Sequence, residues 1–309
     1  MANPGIYGLA ALAAVFWGAN FNLAAPVLAD LPPLEAAAGR FTLAALIMVA
    51  ITLWRREGLA MLATARRHGG ALSLLGLVGI AGFNLLFFDA MRTTSAVNGA
   101  LVMATNPLLT ALLAAVSLGE KPSARQIQAL PLALAGVAVV ILGGGREAGA
   151  IGIGDLEMLG ADLAWAAYNV LSRRLMPAGA QFANVTVVMA AGAAVLLVAA
   201  GIDGATLALP GPKASAALLA MAGLGSVLAY LFWSQAIARI GAGRTALFMN
   251  VVPVAATLIA TLGGAWPSGA QLAGGGLVIA SVVYAMLPSR PKAAVVPAEA
   301  VPALEGCSD

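Results

Sequence analysis

Residues 5–28 read GIYGLAALAAVFWGANFNLAAPVL, without a charged side chain. A helix that crosses the roughly 30 Å hydrocarbon core of a bilayer needs about 20 predominantly apolar residues, and this stretch supplies them. Further stretches of the same kind are predicted at 34–54, 71–91, 95–117, 124–143, 155–175, 182–201, 214–237, 243–263 and 269–287. Their apolar runs are continuous and not alternating, so the spans are helices and not barrel strands. The expected fold class is an all-α integral membrane protein with ten transmembrane helices.

Composition agrees with that reading. Hydrophobic residues make up 61% of the 309, charged residues only 9%, and the mean hydropathy is +0.95. An ordinary soluble domain carries about 25% charged residues, so this chain cannot cover a water-facing surface in the usual way. A soluble enzyme, a disordered protein and a disulfide scaffold are excluded. The 36 glycines suit close helix–helix approach inside a bilayer. The first Lys or Arg is Arg40, so residues 5–28 lack the basic start of a signal peptide and read as the first span. The only cysteine, Cys307, rules out an intrachain disulfide, and it does not stand fourth from the end as a CaaX prenylation site requires.

Charge position sets the expected topology. With a cytoplasmic N-terminus, only Arg40, Arg92, Arg146 and Lys213 of the 16 Lys and Arg residues fall on the outer side. That asymmetry predicts a multi-pass inner-membrane protein with both termini in the cytoplasm. The net charge of +3 forms no basic face with interleaved aromatics, so the expected electrostatic partner is the lipid bilayer and not nucleic acid.

The two halves repeat. Trp17 in FWGANF matches Trp165 in AWAAYN at an offset of 148, and Ala90/Ala236 and Pro107/Pro253 match at 146. Ser123 and Gln126 match Ser268 and Gln271 at 145. Five spans per copy is an odd number, so the second copy enters the membrane from the opposite side, as in many secondary transporters. The predicted organisation is a first repeat over 1–147, a second over 148–288, and a Pro- and Ala-rich disordered cytoplasmic tail over 289–309.

These residues resemble a known family. FWGANFNLAAPVLADLPPLEAAAGRF (16–41) is similar to the first two spans of the EamA-type drug/metabolite transporters. FFDAMRTTSAVNGALVMATNPLLTALLAAVSLGEKPSARQ (87–126) resembles their third to fifth spans, and AIARIGAGRTALFMNVVPVAATLIATLGGAWPSGAQ (236–271) the second-half counterpart. The resemblance implies two inverted EamA repeats around a central substrate cavity. Within the family the chain looks most like the YddG-type amino-acid exporters. LGGAW stands where LGEKP would recur, so a role for Glu120 does not carry over to Gly264.

Candidate substrate-binding residues begin with Trp17, Asn20 and Phe21 on the first span and Trp165, Tyr168 and Asn169 on the sixth, each set on one helical face. Indoles and carboxamides there could hold an amphipathic solute by apolar contact and a few hydrogen bonds. The competing reading, interfacial anchoring, conflicts with the depth of both tryptophans, about 15 Å along their helices. Asn84, Phe87, Asn98, Tyr230, Trp233 and Phe248 extend the set, although an amide in hydrocarbon serves equally as interhelical glue.

Pro107 and Pro253 near midspan are the candidate hinges, each freeing a backbone carbonyl. Asp162 is the candidate proton-coupling group. Arg40 is expected to snorkel outward or pair with a carboxylate, as a structural charge. His68 belongs to a solvated cytoplasmic loop. No cofactor, metal or ATP site is expected, since no HExxH, phosphate loop or Ser/His/Asp set occurs.

The expected function is therefore non-enzymatic: a secondary transporter exporting amino acids, aromatic or otherwise amphipathic, by alternating access. The alternatives are a transporter of another small metabolite or drug, a membrane-embedded lipid-modifying enzyme, which lacks its catalytic set here, and a signalling protein, which lacks docking loops.

Overall fold

A computed structural model describes residues 4–119, 124–143, 152–205, 209–240, 245 and 247–286. Among these, helices are the only extended elements, in ten stretches. They are α1 (Pro4–Leu28), α2 (Pro33–Trp54), α3 (Gly58–Ala90), α4 (Ala96–Met103 and Asn106–Leu118) and α5 (Ala124–Gly143). The second half supplies α6 (Ile153–Leu175), α7 (Gln181–Ile202), α8 (Pro212–Ile240), α9 (Leu247–Asn250 and Val251–Leu262) and α10 (Gly269–Met286). Among the described residues, α1, α2, α3, α4, α7 and α8 are the 6 long and apolar enough to cross a membrane. α6 falls short because it carries Asp155, Glu157, Asp162, Arg173 and Arg174. The expected tail 289–309, Glu120, and the start of the span predicted at 243–263 lie outside the described residues.

Pairing between the halves is reciprocal. α1 packs on α8 and α9, while α6 packs on α3 and α4; α2 meets α7, and α5 meets α10. Each of these contacts thus has its counterpart with the halves exchanged. Lipid gives no hydrophobic driving force between helices, so close packing and polar contacts must hold these pairs together. Gly76 of α3 and Gly192 of α7 provide the first: a Cβ on Gly192 would lie 2.5 Å from Ile80 Cβ, and one on Gly76 2.6 Å from the Val188 carbonyl oxygen. Thr52 of α2 and Thr186 of α7, with hydroxyls 2.9 Å apart, provide the second. Leucines such as Leu46, Leu53, Leu262 and Leu272 face outward, as do Trp54 and Trp266 near helix ends, where indoles suit the membrane interface.

Three features depart from the sequence expectations. Residues 58–70, expected as a loop, are helical and extend α3, since Gly58 to His68 contains no proline and several strong helix formers. α3 and α8 each contain a π-helical segment, Leu77–Gly82 and Met221–Leu228, ending at the same repeat offset as Pro107 and Pro253. Such segments occur mostly at functional sites. Lastly, α4 and α9 are interrupted helices and not kinked ones. Ala104 and Thr105 form a turn, Pro107 stands at the start of the second half of α4, and Pro253 stands in the first turn after Leu247–Asn250. A proline in a first turn lacks only an N–H that would go unused, so Pro107 and Pro253 begin half-helices and do not bend continuous ones.

Gly192→Val should destabilise the fold by about 1–3 kcal/mol, the usual cost of overpacking, whereas Gly8→Ala, with nothing within 4 Å, should not. Thermal denaturation in detergent measures both. Equal stability of the two variants would mean that the α3–α7 crossing relaxes freely.

Candidate functional site

At the junction of the halves, Trp17 of α1 stands edge-on to Trp165 of α6, with ring centroids 5.3 Å apart at 77°. Trp233 lies against Trp17 at 4.8 Å, Tyr168 stacks on Trp165 at 4.9 Å and 26°, and Tyr230 stands edge-on to both Trp17 and Trp165. All five rings are buried. Edge and offset contacts of this kind stabilise by about 0.5–1.5 kcal/mol each beyond area burial. Trp165 and Tyr168, three residues apart, share one face of α6, as Tyr230 and Trp233 share one face of α8, and the packing of the halves brings both pairs to Trp17 of α1.

The aromatic layer separates two spaces. On one side is a central cavity of about 30 Å³, walled by Trp17, Trp165, Tyr230 and the stacked pair Phe83 and Phe87, with Phe21 edge-on to Phe87. Met103, Met249 and Val252 close it beside the breaks in α4 and α9, and Asn20 and Arg40 supply its polar wall. On the other side a vestibule of about 450 Å³ is lined by Tyr168, Trp233 and Tyr230, with Ser172, Arg173 and Asn184 toward the 176–181 turn. Ligand pockets run to roughly 300–1,000 Å³, so the vestibule has solute dimensions and the central cavity is contracted.

Backbone from the π-helical segments enters this site. Gly225 sits so close to α1 that a Cβ would collide with the Asn20 carboxamide, and its carbonyl accepts from Trp17 Nε1 at 2.9 Å. The related Gly79 of α3 lies equally close to Tyr168 of α6, but its carbonyl accepts from Tyr230 Oη at 3.3 Å. Among the described residues Trp165 Nε1 consequently has no partner, and neither has Trp233 Nε1.

Arg40 corrects the sequence expectation. It is 2% exposed, does not snorkel, and has no carboxylate partner among the described residues. Its Nε donates to Ser226 Oγ at 3.0 Å, Nη1 to Asn84 Oδ1 at 3.0 Å and Nη2 to the Gly225 carbonyl at 3.3 Å. Snorkelling fails because the side chain leaves α2 toward the protein interior, where three neutral acceptors and the face of Phe41 at 5.0 Å hold it. Sequence reasoning missed Ser226, which stands where the first half has Ile80, and Phe83, four residues before Phe87 on one helical face.

Asp162 is fully buried behind the cavity at the break in α4. Its Oδ2 accepts from Thr105 Oγ1 at 2.7 Å and its Oδ1 from Asn106 Nδ2 at 2.6 Å; Asn169 Nδ2 donates to Asn106 Oδ1 at 3.1 Å. A carboxylate beside the N-terminus of the half-helix Asn106–Leu118 also meets the positive end of its dipole.

Several candidates lie away from the cavity. Asn98 Oδ1 accepts from Gln271 Nε2 at 2.7 Å, joining α4 to α10. Asn169 belongs to the Asp162 network, and Asn84 reaches the cavity only by holding Arg40 while donating to the Ile80 carbonyl at 2.8 Å. Phe248 packs on Tyr7 at 6.2 Å, beside Ile6, Ala10, Ala236 and Ile240. Tyr168 and Trp233 face the vestibule. An amide in an apolar bilayer is satisfied most readily by a neighbouring helix, which accounts for Asn98 and for Asn169 Nδ2, while Asn169 Oδ1 has no partner among the described residues.

Residues 5–142 and 152–287 each match the EamA-like transporter family. YyaM of Bacillus subtilis (strain 168), named an uncharacterized transporter, is 38% identical over 276 residues, covering 88% of this chain and 90% of its own. The aromatic amino acid exporter YddG of Ancylobacter novellus is 27% identical over 288 residues, covering 90% and 96%. A solved crystal structure matches the fold with a TM-score of 0.67 at 24% identity, covering 93% of this chain and 98% of its own.

Removing the amide in Asn98→Ala leaves Gln271 Nε2 without its acceptor, and a loss of about 0.6–2 kcal/mol in detergent thermal stability is expected. An unchanged melting temperature would show that the pair is not what joins α4 to α10.

Proposed function

Because the chain belongs to the EamA-like transporter family, a family of membrane transporters and not of enzymes, we propose that it exports amino acids across the inner membrane by alternating access. The reading is carried by one observation: a buried aromatic layer stands between a central cavity and a vestibule at the junction of the two halves. On a reading of five crossings per half the second repeat is inverted, and the charge asymmetry supports a cytoplasmic side for both termini and the 176–181 turn. The vestibule is then the cytoplasmic mouth, and the solute advances when Trp17, Trp165 and Tyr230 part. The aromatic walls suit an aromatic or otherwise amphipathic amino acid, and YddG of Ancylobacter novellus, named for that class, gives the substrate reading its second support. Asp162 is the group for proton coupling, being a carboxylic acid held only by neutral donors where α4 is interrupted. The half-helix starts at Pro107 and Pro253 and the two π-helical segments are the places where the helices give.

Proteoliposomes loaded with unlabelled phenylalanine should accumulate labelled phenylalanine by counterflow. Trp17→Ala and Trp165→Ala should weaken the apparent affinity about threefold to tenfold, the worth of one aromatic contact. With an imposed pH gradient, Asp162→Asn should lose the gradient dependence that the parent protein shows. No counterflow of any aromatic amino acid would end the amino-acid reading, and equal gradient dependence in Asp162→Asn would remove that residue from coupling.

Accessibility labelling tests the orientation. A single cysteine at the exposed position Ala63 should react only from the cytoplasmic face, and reaction from outside would overturn the proposed topology.

A further inference from the structure

Arg40 and Asn20 meet at Gly225. The Gly225 carbonyl accepts from Arg40, and the Asn20 carboxamide lies against the same glycine; both side chains line the central cavity. The guanidinium has five N–H donors, and its bonds to Ser226, Asn84 and Gly225 account for one on each nitrogen. Each terminal nitrogen therefore keeps a second N–H. Asn20, 4% exposed, has a side-chain oxygen with no hydrogen-bond partner among the described residues. A small, mainly apolar cavity thus contains a cation without a counter-anion among the described residues, spare donors in the planar fork that fits a carboxylate, and an unpartnered acceptor next to them.

We propose that this is the head-group subsite of the transported solute: Arg40 receives its carboxylate, Asn20 Oδ1 accepts from its ammonium, and the aromatic walls enclose its apolar side chain. The proposal rests on the central cavity being the transport site and narrows the substrate to carboxylates. The carboxylate is the obligatory group, because it alone neutralises Arg40, whereas the ammonium gains one hydrogen bond to a neutral oxygen. About 30 Å³ holds one or two water molecules or a carboxylate, so the head group fits the contracted cavity and the side chain requires the aromatic layer to open.

The repeat supports the assignment. Val188 of α7 stands where α2 has Arg40, and Tyr168 of α6 where α1 has Asn20. Neither polar group has an equivalent in the other half, so repeat geometry alone does not call for them.

The test uses the full chain in lipid nanodiscs and follows its tryptophan fluorescence on titration with phenylalanine, 3-phenylpropanoate and 2-phenylethylamine. These probes share a phenyl group and differ in the head. Phenylalanine and 3-phenylpropanoate should bind, with 2-phenylethylamine about 10- to 100-fold weaker, the span of a charge-assisted hydrogen bond. Arg40→Lys keeps a cation but loses the fork, and should weaken both carboxylates while leaving the amine unchanged. If that variant does not fold, the three-probe series on the parent chain decides alone. Amine binding as tight as acid binding, or no binding by either carboxylate, overturns the subsite. Tight, Arg40-dependent binding of 3-phenylpropanoate without phenylalanine counterflow would sink amino-acid export and leave the subsite standing; phenylalanine counterflow indifferent to Arg40→Lys would do the reverse.

Discussion

The Gly225 carbonyl is the point on which the two halves depend. It lies in a π-helical segment of α8 and accepts from Trp17 of α1 and Arg40 of α2, so one backbone atom from the second half positions an indole and a guanidinium from the first. Membrane helices must satisfy their backbone groups internally, and irregular backbone is tolerated where it lines a protein interior. Glycine is required here for space, since any Cβ would strike the Asn20 carboxamide. The same segment carries Ser226, which holds Arg40 from a second direction. Altering this short stretch would move the aromatic layer, the charge and the amide together.

The helical architecture is readable in the sequence because a bilayer leaves few alternatives to long apolar helices. Trp17 and Trp165 are readable because an indole deep in a span, repeated in the other half, is hard to explain by anchoring at an interface. The amides divide differently. Asn98 and the Nδ2 of Asn169 find partners on other helices, and nothing in local spacing distinguishes them from Asn20, whose Oδ1 has none among the described residues. Arg40 is misjudged for a related reason. A buried guanidinium suggests an acid nearby, whereas its acceptors are a hydroxyl, an amide and a carbonyl drawn from two other helices. The π-helical segments had a signal in Gly79 and Gly225 at the common offset, but glycine matches carry little weight in a chain with 36 glycines.

The halves share a scaffold and divide the polar chemistry between them. Asp162 on α6 meets Thr105 and Asn106 at the break in α4, whereas Ala14 of α1 and Val251 and Val252 of α9 stand at the related positions. Arg40 has only Val188 as its counterpart. The indoles diverge as well: Trp17 bonds to Gly225, while Tyr230 occupies the related carbonyl of Gly79 and leaves Trp165 Nε1 unpartnered. Duplication thus supplies the frame, and substitutions confined to one copy supply the charge and hydrogen-bonding character of the site.

The contracted cavity has a thermodynamic consequence. A space of about 30 Å³ cannot hold a whole amphipathic solute, so binding there includes the free energy of separating the aromatic rings. Apparent affinity then equals the intrinsic affinity multiplied by the fraction of molecules already open, and a substitution that loosens the layer from outside, keeping the rings that touch the solute, strengthens binding without adding a contact. Selection among solutes lies partly in how much work each must do on the protein, so a bulkier side chain is penalised through the conformational equilibrium and not through a fixed wall.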